Sequence, residues 1–206
     1  MTLQTLTTGN GQPISRLGLG TVKLGRNEQV KYPQAFSIPD DLTAKKLLST
    51  ALSLGINIVD TAPAYGQSEE RLGRFLINQR HEWHIVTKVG EEFNHGQSHF
   101  DFSKKHIRFS IERSLKRLRT DYLDTVLLHS NGNDVDIIQR DGALDTLLAI
   151  KREGLIRYIG VSTKTTEGGL LALNDSDIVM ASYNLRYTEE EAVLKKSRNT
   201  IQKPFL

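Results

Sequence analysis

The feature that most limits what this chain can fold into is a repeated change of hydrophobic period. Continuous apolar runs, "INIVD", "HIVTKVG", "LDTVLLHS", "IRYIGVST" and "DIVMASYN", alternate with segments whose apolar residues recur every three or four positions. A continuous run fits a strand buried on both faces, and a three-to-four repeat fits a helix with one buried stripe. "DDLTAKKLLSTALSLG" places Leu47, Leu48, Ala51 and Leu52 on one helical face and stops at Gly55. "SKKHIRFSIERSLKRLRTDY" carries Ile107, Ile111, Leu115 and Leu118 as a stripe. Helices are also expected in "SEERLGRFLINQR", "GALDTLLAIKREG", "TEGGLLALND" and "TEEEAVLKKSRN", the last behind a Thr188–Glu191 capping box. "LQTLTTGNGQPISRLGLGT" alternates around Gly9, Asn10 and Gly11, which signals a hairpin whose turn needs positive φ. With a strand counted at "ISRLGLGT", the sequence predicts about six βα units after an N-terminal β-hairpin, in a single domain, 1–206.

Two architectures accommodate parallel strands covered by helices: a doubly wound sheet and a (β/α) barrel. The doubly wound sheet calls for a G-x-G-x-x-G fingerprint after its first strand, and "GLGTVKLG" does not supply it. A barrel instead places functional residues at the C-terminal ends of several different strands. That pattern is present. Asp60 ends the second strand, Lys88 the third and His129 the fourth, with Tyr65 in the loop after Asp60. Each alone has an ordinary structural reading, as a cap, an ion-pair partner or a wall residue. Their joint occurrence at successive strand ends points to chemistry. A free tyrosine has a pKa near 10, and a neighbouring ammonium can lower it by roughly 1–3 pH units. Lys88, held by Asp60, is the expected neighbour, and His129 is expected to hydrogen-bond the substrate oxygen. Such a group suits protonation of an oxygen that gains charge, as when hydride adds to a carbonyl.

The stretches "LGLGT", "GINIVDTAPAYGQSEERLG", "HIVTK", "SLKRLRTDYLD", "LLHS" and "IRYIGVS" resemble the aldo-keto reductases. The resemblance implies an NADPH-dependent (β/α)8 TIM barrel that reduces aldehydes or ketones, with NADH as the other admissible nucleotide. It implies that Asp60, Tyr65, Lys88 and His129 form the catalytic tetrad, with Tyr65 the acid. It sets Gly20, Thr21, Asp60 and Ser162 against the cofactor. Two positions depart from the family pattern: Thr163 stands where Asn is usual after the serine, and Met180 where Gln is usual. Six units against eight lead to the expectation of an incomplete barrel, lacking the segments that in this family carry most contacts to the cofactor's phosphates. Self-association through open sheet edges is a corollary. The alternative readings are a catalytically silent binding or regulatory subunit and a non-functional fragment.

Other classes are set aside on composition. Cysteine is absent and the net charge is only +3, which excludes thiolate chemistry and gives no reason to expect a nucleic-acid partner. No apolar run approaches the ~20 residues that span a bilayer, so a cytoplasmic protein without membrane contact is expected. His81 with His84, and His95 with His99, lack a third ligand at a recognised spacing, so no metal is expected. The basic run "ERSLKRLR" reads as the solvated face of a helix. Tyr32, Phe36, Phe93, Phe100 and Phe102 lie in segments after the first and third strands, either as a pocket wall or as pins for long loops.

Overall fold

The computed structural model describes residues 5–9, 11–30 and 32–198. Strands β1 (Thr5–Thr7) and β2 (Pro13–Ser15) pair antiparallel as the expected hairpin, although Asn10 of its turn lies outside the described residues. "ISRLGLGT" was expected to be one strand and is two. Asn57 Oδ1 accepts from Ser15 N (2.8 Å) and Leu17 O accepts from Ser15 Oγ (2.6 Å), which bends the chain between β2 and β3 (Gly18–Gly20).

The main sheet adds β4 (Ile58–Asp60), β5 (His84–Val89), β8 (Leu123–His129), β9 (Ile156–Ser162) and β10 (Ile178–Met180), all parallel. Its spatial order, β3-β4-β5-β8-β9-β10, is also the chain order. A doubly wound sheet would reverse direction at a switch point. A monotonic order is that of a barrel wall. The connections are α1 (Asp41–Ser53), α2 (Ser68–Phe75), α3 (Lys104–Leu118), α4 (Asp134–Gln139), α5 (Ala143–Arg152) and α6 (Thr166–Asp175), and α7 (Glu191–Arg198) follows β10.

The period-2 alternation of strands explains why both faces of the sheet are apolar. Val59, Ile85, Val89, Val126, Leu128, Ile159, Val161 and Val179 join the helices in one core. Ile58, Val86, Leu127 and Ile178 form a second cluster on the opposite face, with Ile14 of the hairpin packed among them. Two residues further along the same strands, that second face carries Asp60, Lys88, His129 and Met180. The site therefore stands directly above an apolar layer.

Several boundaries differ from expectation. Of the expected face of α1, Leu48 and Ala51 are buried and Leu52 packs against the core, but Leu47 is 44% exposed and Ala44 is buried in its place. The capping box is not the entry to α7: the helix begins only at Glu191, whose N–H bonds Thr188 O (3.0 Å). α2 is shorter than "SEERLGRFLINQR", and the chain re-forms a 3-10 turn at Arg80–Glu82. Two segments outside the expected strands and helices contain structure of their own. α4 lies in "SNGNDVDIIQRDG", and "GEEFNHGQSHFDFS" folds into a hairpin, β6 (Glu91–Asn94) with β7 (Gln97–Phe100). Its turn is two residues long, His95 and Gly96, both at positive φ (52° and 75°).

Candidate active site

Lys88 is the centre of the group. Its side chain is 2% exposed, and its Nζ donates to Asp60 Oδ1 (2.6 Å) and to Thr61 O (2.9 Å). A buried ammonium is tolerable only when paired and hydrogen-bonded, and this one spends two of its three donors on neighbouring oxygens. The same Nζ lies 4.8 Å from the centroid of the Tyr65 ring. The Tyr65 and His129 rings meet edge to face, 6.3 Å apart at 84°. All four expected residues are thus brought together.

The Tyr65 loop is clamped by close backbone packing. Tyr65 N donates to Ala62 O (3.0 Å), and Arg26 reaches across to Ala64 O (3.2 Å). A Cβ at Gly25 would lie 2.2 Å from Tyr65 O, and one at Gly66 (φ +59°) would lie 2.2 Å from Gly25 O. Only glycine allows the two segments to touch there, so the tyrosine is presented from a backbone with little room to move.

The charge balance differs in one respect from expectation. Burial pushes the Tyr65 phenol up, and the opposing pull of the Lys88 ammonium does not overcome it. The expected lowering is therefore absent, because removing the phenolate from water costs more than Lys88 returns. Burial works against the Lys88 ammonium too, but Asp60 and Tyr65 outweigh it and its pKa is raised. Burial pushes the His129 imidazole down, with Glu91 opposing.

The positions expected to meet a cofactor surround this group. A Cβ at Gly20 would meet nothing within 4 Å, so open space lies over the end of β3. The Thr21 side chain is turned inward: its hydroxyl donates to Asp60 O (2.8 Å) and accepts from Ser68 Oγ (2.8 Å). Ser162 is half-buried, in register with His129 on one side and Met180 on the other. Thr163 is buried and its N–H bonds Met180 O (3.0 Å). The nicotinamide end of a dinucleotide fits this geometry, with space above Gly20 and a polar rim at Asp60 and Ser162.

The loop aromatics divide. Tyr32 and Phe36 pack edge to face with Lys23 over both rings, while Phe102 is 8% exposed and sits in the helix-side core. Among the described residues, no group of three or more His, Cys, Asp or Glu side chains is placed to hold a metal ion. No helix among them is long and apolar enough to cross a membrane.

Sequence reasoning missed Glu91, which places Oε2 2.7 Å from His129 Nδ1. The signal was available: Glu91 lies three residues beyond Lys88, just past the same strand end.

A barrel-type parallel sheet with ionisable side chains gathered at its C-terminal edge is the framework of a barrel enzyme. Residues 16–196 match the model of the Aldo/keto reductase family. The chain belongs to that family. It is 36% identical to an uncharacterised oxidoreductase of Bacillus subtilis (YqkF), over 73% of this chain and 45% of that protein. With D-arabinose 1-dehydrogenase of Saccharomyces cerevisiae it shares 39% identity over 60% of this chain and 37% of that one. A solved structure described as an aldo-keto reductase of Pseudomonas aeruginosa is 53% identical, with a TM-score of 0.88 over 97% of this chain and 75% of its own. The chain thus spans about half the length or less of these two curated relatives.

Proposed function

We propose that this chain carries the catalytic centre of an NADPH-dependent carbonyl reductase, with Tyr65 as general acid. The observation behind the proposal is the Lys88 ammonium, buried between the Asp60 carboxylate and the Tyr65 ring. Burying a charge is costly, and the bonds to Asp60 and Thr61 offset that cost while leaving the ammonium beside the phenol ring. When bound, a reduced nicotinamide supplies the hydride to the carbonyl carbon. Gly20, Asp60 and Ser162 would hold its ring, and Thr21 would contribute only backbone because its hydroxyl is committed.

Tyr65 remains a protonated phenol well past neutral pH, so it is a proton source throughout the physiological range. As the carbonyl oxygen gains charge, the phenolic O–H bond breaks and a substrate O–H bond forms. Lys88 stabilises the phenolate left behind, and Asp60 keeps Lys88 in place. In the reverse direction the same oxygen takes the proton from an alcohol. The similarity to D-arabinose 1-dehydrogenase makes polyhydroxylated aldehydes and their cyclic forms the first substrates to assay.

The test is carbonyl-dependent oxidation of NADPH, with NADH alongside, by the purified chain. Tyr65→Phe should reduce the rate by about 10²–10⁴-fold while nucleotide binding is retained. Equal rates for the two proteins would overturn the assignment of the acid.

A further inference from the structure

His129 meets a carboxylate that the strand-end pattern does not require. Glu91 opens β6 directly after Gly90, and its Oε2 stands 2.7 Å from His129 Nδ1. The two side chains are only 12% and 17% exposed. The other oxygen, Oε1, accepts from Ser98 Oγ of β7 (2.6 Å) and faces the Arg26 guanidinium at 4.0 Å. Arg26 lies over the Phe93 ring at 3.4 Å and donates to the carbonyls of Ala64, Glu28 and Gln29. Three segments are therefore fastened together behind His129: the Tyr65 loop, the segment after β3 and the β6–β7 hairpin. Despite its burial, Glu91 is held as a carboxylate, with a pKa of about 2, by His129, Ser98 and Arg26.

The ring plane is not aligned for a regular hydrogen bond to Oε2, but at 2.7 Å two facing lone pairs would repel, so the contact at Nδ1 requires a proton on that nitrogen. The tautomer of a histidine is set by the bond its other nitrogen makes, and a carboxylate behind the ring also favours the imidazolium. We propose that Glu91 is a positioning residue for His129. It fixes the ring proton on Nδ1, so that Nε2 accepts a hydrogen bond when the ring is neutral and donates one only when the ring is protonated. This rests on the reductase reading, and it changes one expectation within it. His129 can hydrogen-bond a carbonyl oxygen as donor only as imidazolium, whereas neutral His129 presents a lone pair to an alcohol or to the Tyr65 hydroxyl. Reduction is then favoured by acid and the alcohol-bound state by neutral pH. The charged or titratable groups facing the ring are Lys88, Asp60, Tyr65 and Glu91, with Arg26 behind Glu91.

The deciding experiment is nitrogen NMR on the imidazole-labelled chain without nucleotide or substrate, with the His129 signals assigned by their loss in His129→Asn. The wild type should show the Nδ1–H tautomer. Glu91→Gln should populate Nε2–H and lower the titration midpoint by about one pH unit or more, a tenfold or greater loss of imidazolium at a given pH. Ser98→Ala, which leaves the Oε2 contact intact, should keep the wild-type tautomer. An Nε2–H tautomer in the wild type, or an unchanged midpoint in Glu91→Gln, would overturn the proposal. Should Glu91→Gln fail to fold, the wild-type tautomer decides alone. The kinetic counterpart is an acid-side shift of the kcat profile in Glu91→Gln. A chain that turns nothing over but shows the Nδ1–H tautomer would refute the reductase reading and leave the positioning role standing.

Discussion

Lys88 carries a buried charge, and its partners give its removal a definite sign. Lys88→Met leaves the Asp60 carboxylate without its 2.6 Å partner. Breaking a buried pair costs about 3–5 kcal/mol, and the lower end applies because Asp60 keeps 24% of its side chain in solvent. Lys88 has a folded pKa raised above its ordinary 10.5. Its contribution is complete below 10.5 and is lost as pH rises through the folded value. Urea unfolding midpoints of wild type and Lys88→Met should therefore differ clearly at about pH 8 and converge in strong alkali. Glu91 has the opposite sign. Its folded pKa of about 2 lies below its ordinary 4.5, so its contribution is present above 4.5 and lost as pH falls towards 2. Glu91→Gln should flatten the acid limb of stability across that window and leave the alkaline limb unchanged. Asp60, Lys88 and His129 were legible because each ends an apolar run, where a polar residue has no packing reason to be, and Tyr65 because it lies just beyond one. The direction of the Tyr65 pKa was not legible, since it depends on burial, which no local pattern encodes.

At the level of elements, α2 is anchored both at its backbone and at its buried face. Glu69 accepts from Thr87 Oγ1 of β5 (2.7 Å), and Gly73 lets the helix touch α3 backbone to backbone. A Cβ at Gly73 would fall 2.1 Å from Arg117 O. Gly73→Ala would gain about 1 kcal/mol of helix propensity. It would lose about 1–3 kcal/mol or more to overpacking, because the obstructing atom is backbone and cannot rotate away. Net destabilisation is expected, read as a lower urea midpoint, although the same change in a free helix stabilises. Asp40→Ala tests the entry to α1: its Oδ1 accepts from Thr43 N (2.7 Å), and loss of that cap should lower the urea midpoint. The helices over 41–53, 104–118, 143–152 and 166–175 were readable because each carries an apolar stripe. The β6–β7 hairpin was not, because its strands are short and largely solvent-facing and its turn is His95-Gly96 rather than Asn-Gly. Missing the hairpin is what hid Glu91.

For the whole molecule, the two cores share one sheet, so they are expected to melt together. Leu127 shows how closely they are coupled. It lies on the face opposite the helices, fully buried with Ile14, Ile58, Val86 and Ile178, while its neighbours Val126 and Leu128 face the helices. A Cβ at Gly160 would stand 2.0 Å from Ile178 O and 2.8 Å from Leu127 Cδ2, so β9 carries glycine where it passes between the β10 backbone and the leucine. The inner layer ties the N-terminal hairpin to β4, β5, β8 and β10, and Lys88 and His129 stand one step above it. Leu127→Ala should cost about 2–5 kcal/mol because the surrounding strands are hydrogen-bonded on both sides and cannot collapse into the gap. For a chain of this size that corresponds to a fall in Tm of roughly 5–15 °C. The transition should stay single, with Trp83 fluorescence and far-ultraviolet circular dichroism coinciding, since Trp83 lies in the helix-side core and still depends on the shared sheet. Non-coincident transitions would show that the inner layer melts separately. The residues at the strand ends would then be positioned from the helix side alone.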